Sequence, residues 1–179
     1  MLKGMIYDAN NDPRLIAERA ECKELCHDYN HLRPKDVEGR RKIIMELLGS
    51  VKGNFLIEQP FLCDYGYNIH IGDNFYANHN LVILDGATVK FGNNVFVAPN
   101  CGFYTAGHPI DAAERNKGLE YARPITVGND VWIGGNVCVL PGVTIGDDCV
   151  IGAGSVVVKD IPPHSVAVGN PCKVIKKIK

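Results

Sequence analysis

An aliphatic residue returns at every sixth position through the second half of the chain: Val127, Ile133, Val139, Ile145, Ile151 and Val157. Glycine follows four of them directly, as Gly128, Gly134, Gly146 and Gly152. A helix requires an apolar spacing near 3.6 and a strand a spacing of 2, so neither element alone gives six. A short strand followed by a tight corner does, and three such units close one triangular coil. Coils stacked at the ordinary strand spacing set like residues above one another about 4.8 Å apart. The aliphatic anchor then points inward, and the Gly, Asn or Asp after it suits a corner needing φ > 0.

The same rhythm runs earlier, at Ile71-Gly72, Ala77-Asn78 and Ile83-Leu84. It slips by two residues near Asp85-Gly86 and resumes at Phe91-Gly92, Val97-Ala98 and Phe103-Tyr104. Val127 lies four sixes beyond Phe103, so the phase survives the stretch between them. Small or apolar residues recur four places after each anchor: Phe75, Leu81, Val95, Cys101, Val131, Val137, Val143, Cys149 and Ser155. The expected fold is therefore mainly β, a parallel β-helix of about five coils and roughly 25 Å in height. A β-sandwich would not hold a phase of six through so many units.

Three segments lie outside the rhythm. Residues 1–53 read as a helical cap. Asp12 caps a helix that has Pro13 in its first turn, with Leu15, Ile16, Leu25 and Tyr29 on its apolar face together with Ala20 and Cys22. A second helix opens at Pro34-Lys35-Asp36 and carries Val37, Ile43, Ile44, Leu47 and Leu48, with Gly49 as its stop. Within the solenoid, residues 54–168, the polar stretch 106–124 interrupts the coils without losing their phase, as an inserted functional loop would. Residues 169–179 form a basic C-terminal tail.

Nineteen Lys and Arg against twenty Asp and Glu leave the chain near neutral. That balance gives no electrostatic footprint for nucleic acid or an anionic membrane. Apolar runs are strand-length and the first residues lack an apolar signal region, so a cytoplasmic setting is expected. The seven cysteines are odd in number and carry no C-x-x-C pair. Cys101, Cys138 and Cys149 stand where an aliphatic residue would serve, so reduced buried thiols are expected.

His108 is the one histidine at the mouth of the looped-out stretch, flanked by Gly107 and Pro109. A neutral imidazole is the usual general base toward an alcohol, and the competing reading is an exposed loop histidine. Asn78 occupies a corner where asparagine tolerates left-handed backbone; its amide could instead donate to an oxyanion. No second histidine lies within five residues of His108, so no metal site is expected there. The lysines near the C-terminus are either a solvated end or a patch for phosphate groups. No phosphate-binding glycine motif is present, so such phosphates would not be held as in nucleotide enzymes.

"NIHIGDNFYANHN", "TAGHP", "PITVGNDVWIGGNVCVLPGVTIGDDCVIGAGSVVVKDIPP" and "GNPCKVI" together closely resemble the maltose and galactoside O-acetyltransferases. "MIYDANNDPRLIAERAECKELCHDYN" is similar to the helical cap of that family, so the resemblance spans about Lys3 to Lys177. It implies a left-handed coil, a homotrimer with active sites between neighbouring prisms, and acetyl-CoA as donor to a sugar hydroxyl with no metal required. It places His108 at the catalytic histidine and Asn78 at the residue that stabilises the transition state. Asp8 and Asp64 fall at or beside acceptor-binding positions. Glu120, on the same loop as His108, is a candidate to orient the imidazole or contact the sugar. Gly135, Ala153, Val158 and Lys159 match the acetyl-CoA path, and Lys173 and Lys176 its basic end. Trp132 is either a sugar platform or a packing residue between subunits. One departure stands out: the galactoside enzyme has two aspartates where this chain reads Asp85-Gly86, so a sugar contact is absent. The remaining readings are a related acetyltransferase acting on an antibiotic, amino sugar or serine, and a non-catalytic scaffold.

Overall fold

The computed structural model describes residues 4–179; Lys3, where the resemblance begins, lies outside them. Helix α1 spans Pro13–His31 and α2 spans Val37–Leu47. Asp12 accepts hydrogen bonds from the Arg14 and Leu15 amides, and Asp36 accepts from Gly39, so both helices start at the expected caps. Leu15, Cys22, Cys26 and Tyr29 form the buried stripe of α1, whereas Ile16 is exposed. Gly49 does not end α2 through a left-handed residue. A Cβ there would lie 2.0 Å from the Tyr67 carbonyl oxygen, so close backbone contact is what requires glycine.

Three parallel walls form a left-handed β-helix. The first wall stacks Ser50–Val51, Ile69–Ile71, Val89–Phe91, Ile125–Val127 and Thr144–Ile145. The second stacks Phe55–Ile57, Phe75–Ala77, Phe96–Val97, Trp132–Ile133, Cys149–Ile151 and Ser165–Val168. The third stacks Phe61–Cys63, Leu81–Leu84, Gly102–Tyr104, Cys138–Val139 and Val156–Val157. Five complete coils result. The Ile145–Ile161 bridge and Ser165–Val168 begin a sixth.

The register follows the period of six. Phe91 pairs with Val127 and Val127 with Ile145; Val97 pairs with Ile133 and Ile133 with Ile151; Phe103 pairs with Val139 and Val139 with Val157. These anchors are buried, as are the residues four places on, from Phe75 to Ser155. They fill a core in which Phe75, Phe91 and Phe103 stack in turn, with ring centroids 5.0 and 4.9 Å apart.

The corners correct the sequence reading. Positive φ falls on the third residue after the anchor, at Asn74, Asn80, Asn94, Asn100, Asp130, Asn136 and Asp148. The glycine directly after the anchor serves the stacking of coils instead. A Cβ on Gly92 would lie 2.6 Å from the Gly128 backbone. Two boundaries also differ from expectation. The solenoid begins with Ser50–Val51, ahead of Asn54, because that pair already hydrogen-bonds to His70 and Ile71. Lys173–Lys177 is not a free tail but a strand, antiparallel to Ser165–Val168.

The cap closes the first coil. Asn30 exchanges both side-chain hydrogen bonds with the Phe61 backbone, at 2.9 and 2.8 Å. Tyr29 donates its hydroxyl to the Ile57 carbonyl. Arg40 also donates to Ile57, at 2.7 Å, and pairs with Glu58 at 3.0 Å.

Candidate active site

Two edges of the prism carry the candidate residues. Where the third wall turns into the first, the anchor spacing widens to eight between Cys63 and Ile71 and again between Ile83 and Phe91. The same edge releases the long excursion between Tyr104 and Ile125. The slip in the rhythm is therefore a stack of enlarged corners beneath the inserted loop.

The loop is pinned by a small antiparallel sheet. Leu119–Ala122 pairs on one side with Ala106–Gly107 and on the other with Tyr7–Asp8 from the cap. Tyr7 lies opposite Glu120 and Asp8 opposite Leu119. His108, directly after Gly107, places Nδ1 3.2 Å from the Leu119 carbonyl oxygen. Its Nε2 is 4.0 Å from Glu120 Oε1, beyond a direct hydrogen bond, and the ring is half exposed. Tyr7 donates to Glu120 Oε2 at 3.1 Å. Burial first, then the neighbouring Glu120, pushes the Tyr7 phenol well above its ordinary range.

Beside this sheet lies a polar cleft of about 220 Å³ lined by Tyr7, Arg19, Lys23, Asp64, Gly86 and Glu120, among others. Burial raises the Asp64 carboxyl, while Arg19 and Lys23 act in the opposite direction. Arg19 is fixed by donating to the Tyr65 hydroxyl at 2.7 Å and to the Ala9 carbonyl at 2.6 Å. Under the cleft, Asp85 is fully buried and accepts from the Asp64 and Tyr65 amides at 3.0 and 2.9 Å. Burial pushes its carboxyl up to about 6. Gly86 leaves room for Tyr7, since a Cβ there would approach the Tyr7 hydroxyl to 3.0 Å. Asp8 turns its carboxylate to Asn10 and Asn11, and hydrogen bonding from the Asn11 side chain chiefly lowers its pKa.

The other edge joins the second wall to the third. Asn78 follows Ala77 there, its amide donating to Val97 and its side-chain oxygen accepting from the His79 amide at 2.8 Å. Gly135 and Ala153 occupy corners of later coils on this same edge, linked by the 2.8 Å bond from Gly154 to the Gly135 carbonyl. A Cβ on Gly135 would meet the Pro99 carbonyl at 3.4 Å, an ordinary van der Waals contact. Val158 and Lys159 return to the loop edge, after Val157. Lys173 and Lys176 lie exposed on the terminal strand, opposite Val168 and Val166.

One prism thus brings His108, Glu120, Asp8 and Asp64 to one edge and leaves Asn78, Gly135 and Ala153 on another. Sequence reasoning missed Tyr7, Arg19 and Lys23. The available signal was positional: Arg19 and Lys23 are four apart on α1, flanking the buried stripe of Cys22 and Cys26. Trp132 is exposed on the second wall, in register between Phe96 and Val150.

The hexapeptide solenoid is the fold of hexapeptide-repeat acetyltransferases. The family profile described as the maltose acetyltransferase hexapeptide capping motif matches residues 1–53, and the bacterial transferase hexapeptide profile matches residues 124–159. The chain is 51% identical over 164 residues to the galactoside O-acetyltransferase of Escherichia coli, covering 92% of this chain and 81% of that protein. A maltose O-acetyltransferase structure from Clostridium difficile 630 superposes with a TM-score of 0.98 at 53% identity, covering 99% of this chain and 95% of that one. A galactoside acetyltransferase in complex with coenzyme A superposes with a TM-score of 0.96 at 47% identity, covering 99% and 88%. The chain belongs to the maltose/galactoside O-acetyltransferase family and is an acetyltransferase of that type. Among the described residues, no helix is long and apolar enough to cross a membrane.

Proposed function

We propose that this acetyltransferase moves the acetyl group of acetyl-CoA to a sugar hydroxyl, the 6-hydroxyl of a glucose- or maltose-like acceptor. The observation that carries the chemistry is the His108–Leu119 contact. A carbonyl oxygen only accepts, so Nδ1 bears the proton and Nε2 keeps its lone pair for the acceptor hydroxyl. As the hydroxyl oxygen attacks the thioester carbonyl, Nε2 takes its proton and a tetrahedral oxyanion forms. The C–S bond then breaks, and the imidazolium returns the proton to the leaving thiolate. No covalent enzyme intermediate is needed. Asn78 and a backbone N–H near Gly135 serve as oxyanion donors.

The cleft's mixture of Asp64, Glu120, Arg19 and Lys23 supports a neutral polyhydroxyl acceptor, which needs both hydrogen-bond acceptors and donors. Asp8 holds the cap wall of this pocket through its turn with Asn10 and Asn11. Asn78, Gly135 and Ala153 stand on a different edge from His108. The reading therefore requires a homotrimer in which one prism offers His108 and its neighbour offers the Asn78 edge. Val158 and Lys159 then flank the coenzyme's path, with Lys173 and Lys176 near its phosphates. The complex of a 47% identical relative with coenzyme A supports this donor.

The test is release of free coenzyme A thiol from acetyl-CoA across a panel of sugars, antibiotics and amines, with NMR of the product. Release with hexoses and an ester at the 6-position is expected. Release with amines or antibiotics alone, or with no acceptor, overturns the reading.

A further inference from the structure

Three cysteine sulfurs converge outside the cleft. Cys22 and Cys26 stand one turn apart on α1, and Cys63 ends the strand Phe61–Cys63. The Cys63 sulfur lies 3.5 Å from that of Cys22 and 3.8 Å from that of Cys26. All three sulfurs lie within 4.8 Å of one another, and all three residues are buried. Cys22 also donates to the Cys63 carbonyl at 3.4 Å, but Cys101 and Cys149 contact only carbonyls, those of Gly134 at 3.1 Å and Pro162 at 3.3 Å among them. Thiolates bound to one soft ion at about 2.3 Å with near-tetrahedral angles stand about 3.8 Å apart. The two separations from Cys63, 3.5 and 3.8 Å, already match that spacing.

Charge decides which ion fits. A monovalent ion on three thiolates leaves two negative charges, and a divalent ion leaves one. Asp85, fully buried, acts on the Cys22 sulfur, so residual negative charge on the cluster would be buried beside a carboxyl group. Zinc also seeks a fourth ligand, and the group contains three. A trivalent thiophile leaves no charge and takes three sulfurs.

We propose that Cys22, Cys26 and Cys63 form a binding site for a trivalent thiophile of the arsenite class. Arsenous acid, with three hydroxyls on arsenic, reacts with three thiols to form three As–S bonds. Three As–O bonds break and each hydroxyl leaves as water with one thiol proton. Arsenic stays trivalent and no oxidant is needed. The occupant would tie α1 to the strand that leads into Asp64.

The test uses the intact chain with sodium arsenite, read by native mass spectrometry and arsenic X-ray absorption. One arsenic per chain with three protons fewer, three sulfur neighbours and no oxygen neighbour is expected, together with a higher Tm. Cys22→Ala, Cys26→Ala and Cys63→Ala are each expected to lose this signature. No adduct on the folded chain, an oxygen neighbour to arsenic, or a three-sulfur adduct retained by Cys63→Ala overturns the proposal. So does tighter binding of zinc than of arsenite. The absorption spectrum of the wild-type chain decides the question even where a variant fails to fold.

Discussion

Leu119 joins His108 to the cap: its carbonyl receives the histidine Nδ1 at 3.2 Å while its Cα lies opposite Asp8. The tautomer of the imidazole therefore depends on a strand that the N-terminal segment holds in place. His108→Ala removes the proposed base without touching the solenoid core. We expect kcat to fall by at least about 10²-fold with an unchanged circular-dichroism spectrum. Turnover at the wild-type rate would contradict the assignment.

Tyr7 and Glu120 form the other contact between cap and loop. Tyr7→Phe leaves Glu120 Oε2 without this donor and loosens the acceptor side of the cleft. The expected result is an acceptor KM raised by about 3- to 10-fold, with the KM for acetyl-CoA unchanged. Steady-state kinetics with each substrate varied separately distinguishes the two sides.

Asp85 makes stability depend on pH. Its folded carboxyl titrates at about 6 rather than at the ordinary 3.8. A raised folded pKa means that its stabilising contribution is full below the ordinary value and lost as pH rises through about 6. In Asp85→Asn this dependence disappears. Between pH 4 and pH 8 the stability difference should therefore move in the variant's favour, by on the order of 1–3 kcal/mol. Urea titrations at the two pH values measure it.

Gly49 supports the junction between the cap and the first coil. With the Tyr67 carbonyl 2.0 Å from an added Cβ, Gly49→Ala has to move backbone. A loss of about 2 kcal/mol or more in stability is expected from denaturant unfolding.

The coils were legible because a period of six constrains every anchor at once. Val97, Ile133 and Ile151 needed no tertiary information to be aligned on one wall. Corner chemistry was less legible, because a glycine directly after an anchor, such as Gly92, looks like a left-handed residue until the next coil is seen lying against it. The cleft was legible only in part. His108 and Glu120 share one loop, but Tyr7, Arg19 and Lys23 reach it through helix docking and strand pairing from more than eighty residues away in sequence. The strand at Lys173–Lys177 was hidden because its pairing with Ser165–Val168 gives no period of six.

The central claim is that catalysis draws His108 from one prism and Asn78 from the next. His108→Ala and Asn78→Ala chains, each inactive alone, can be unfolded together at equal amounts and refolded. Random assembly of trimers should restore roughly one-quarter of the wild-type sites, those pairing an intact His108 with a neighbour's intact Asn78. Recovery near that fraction is the predicted result; a mixture as inactive as its separate components would contradict the account.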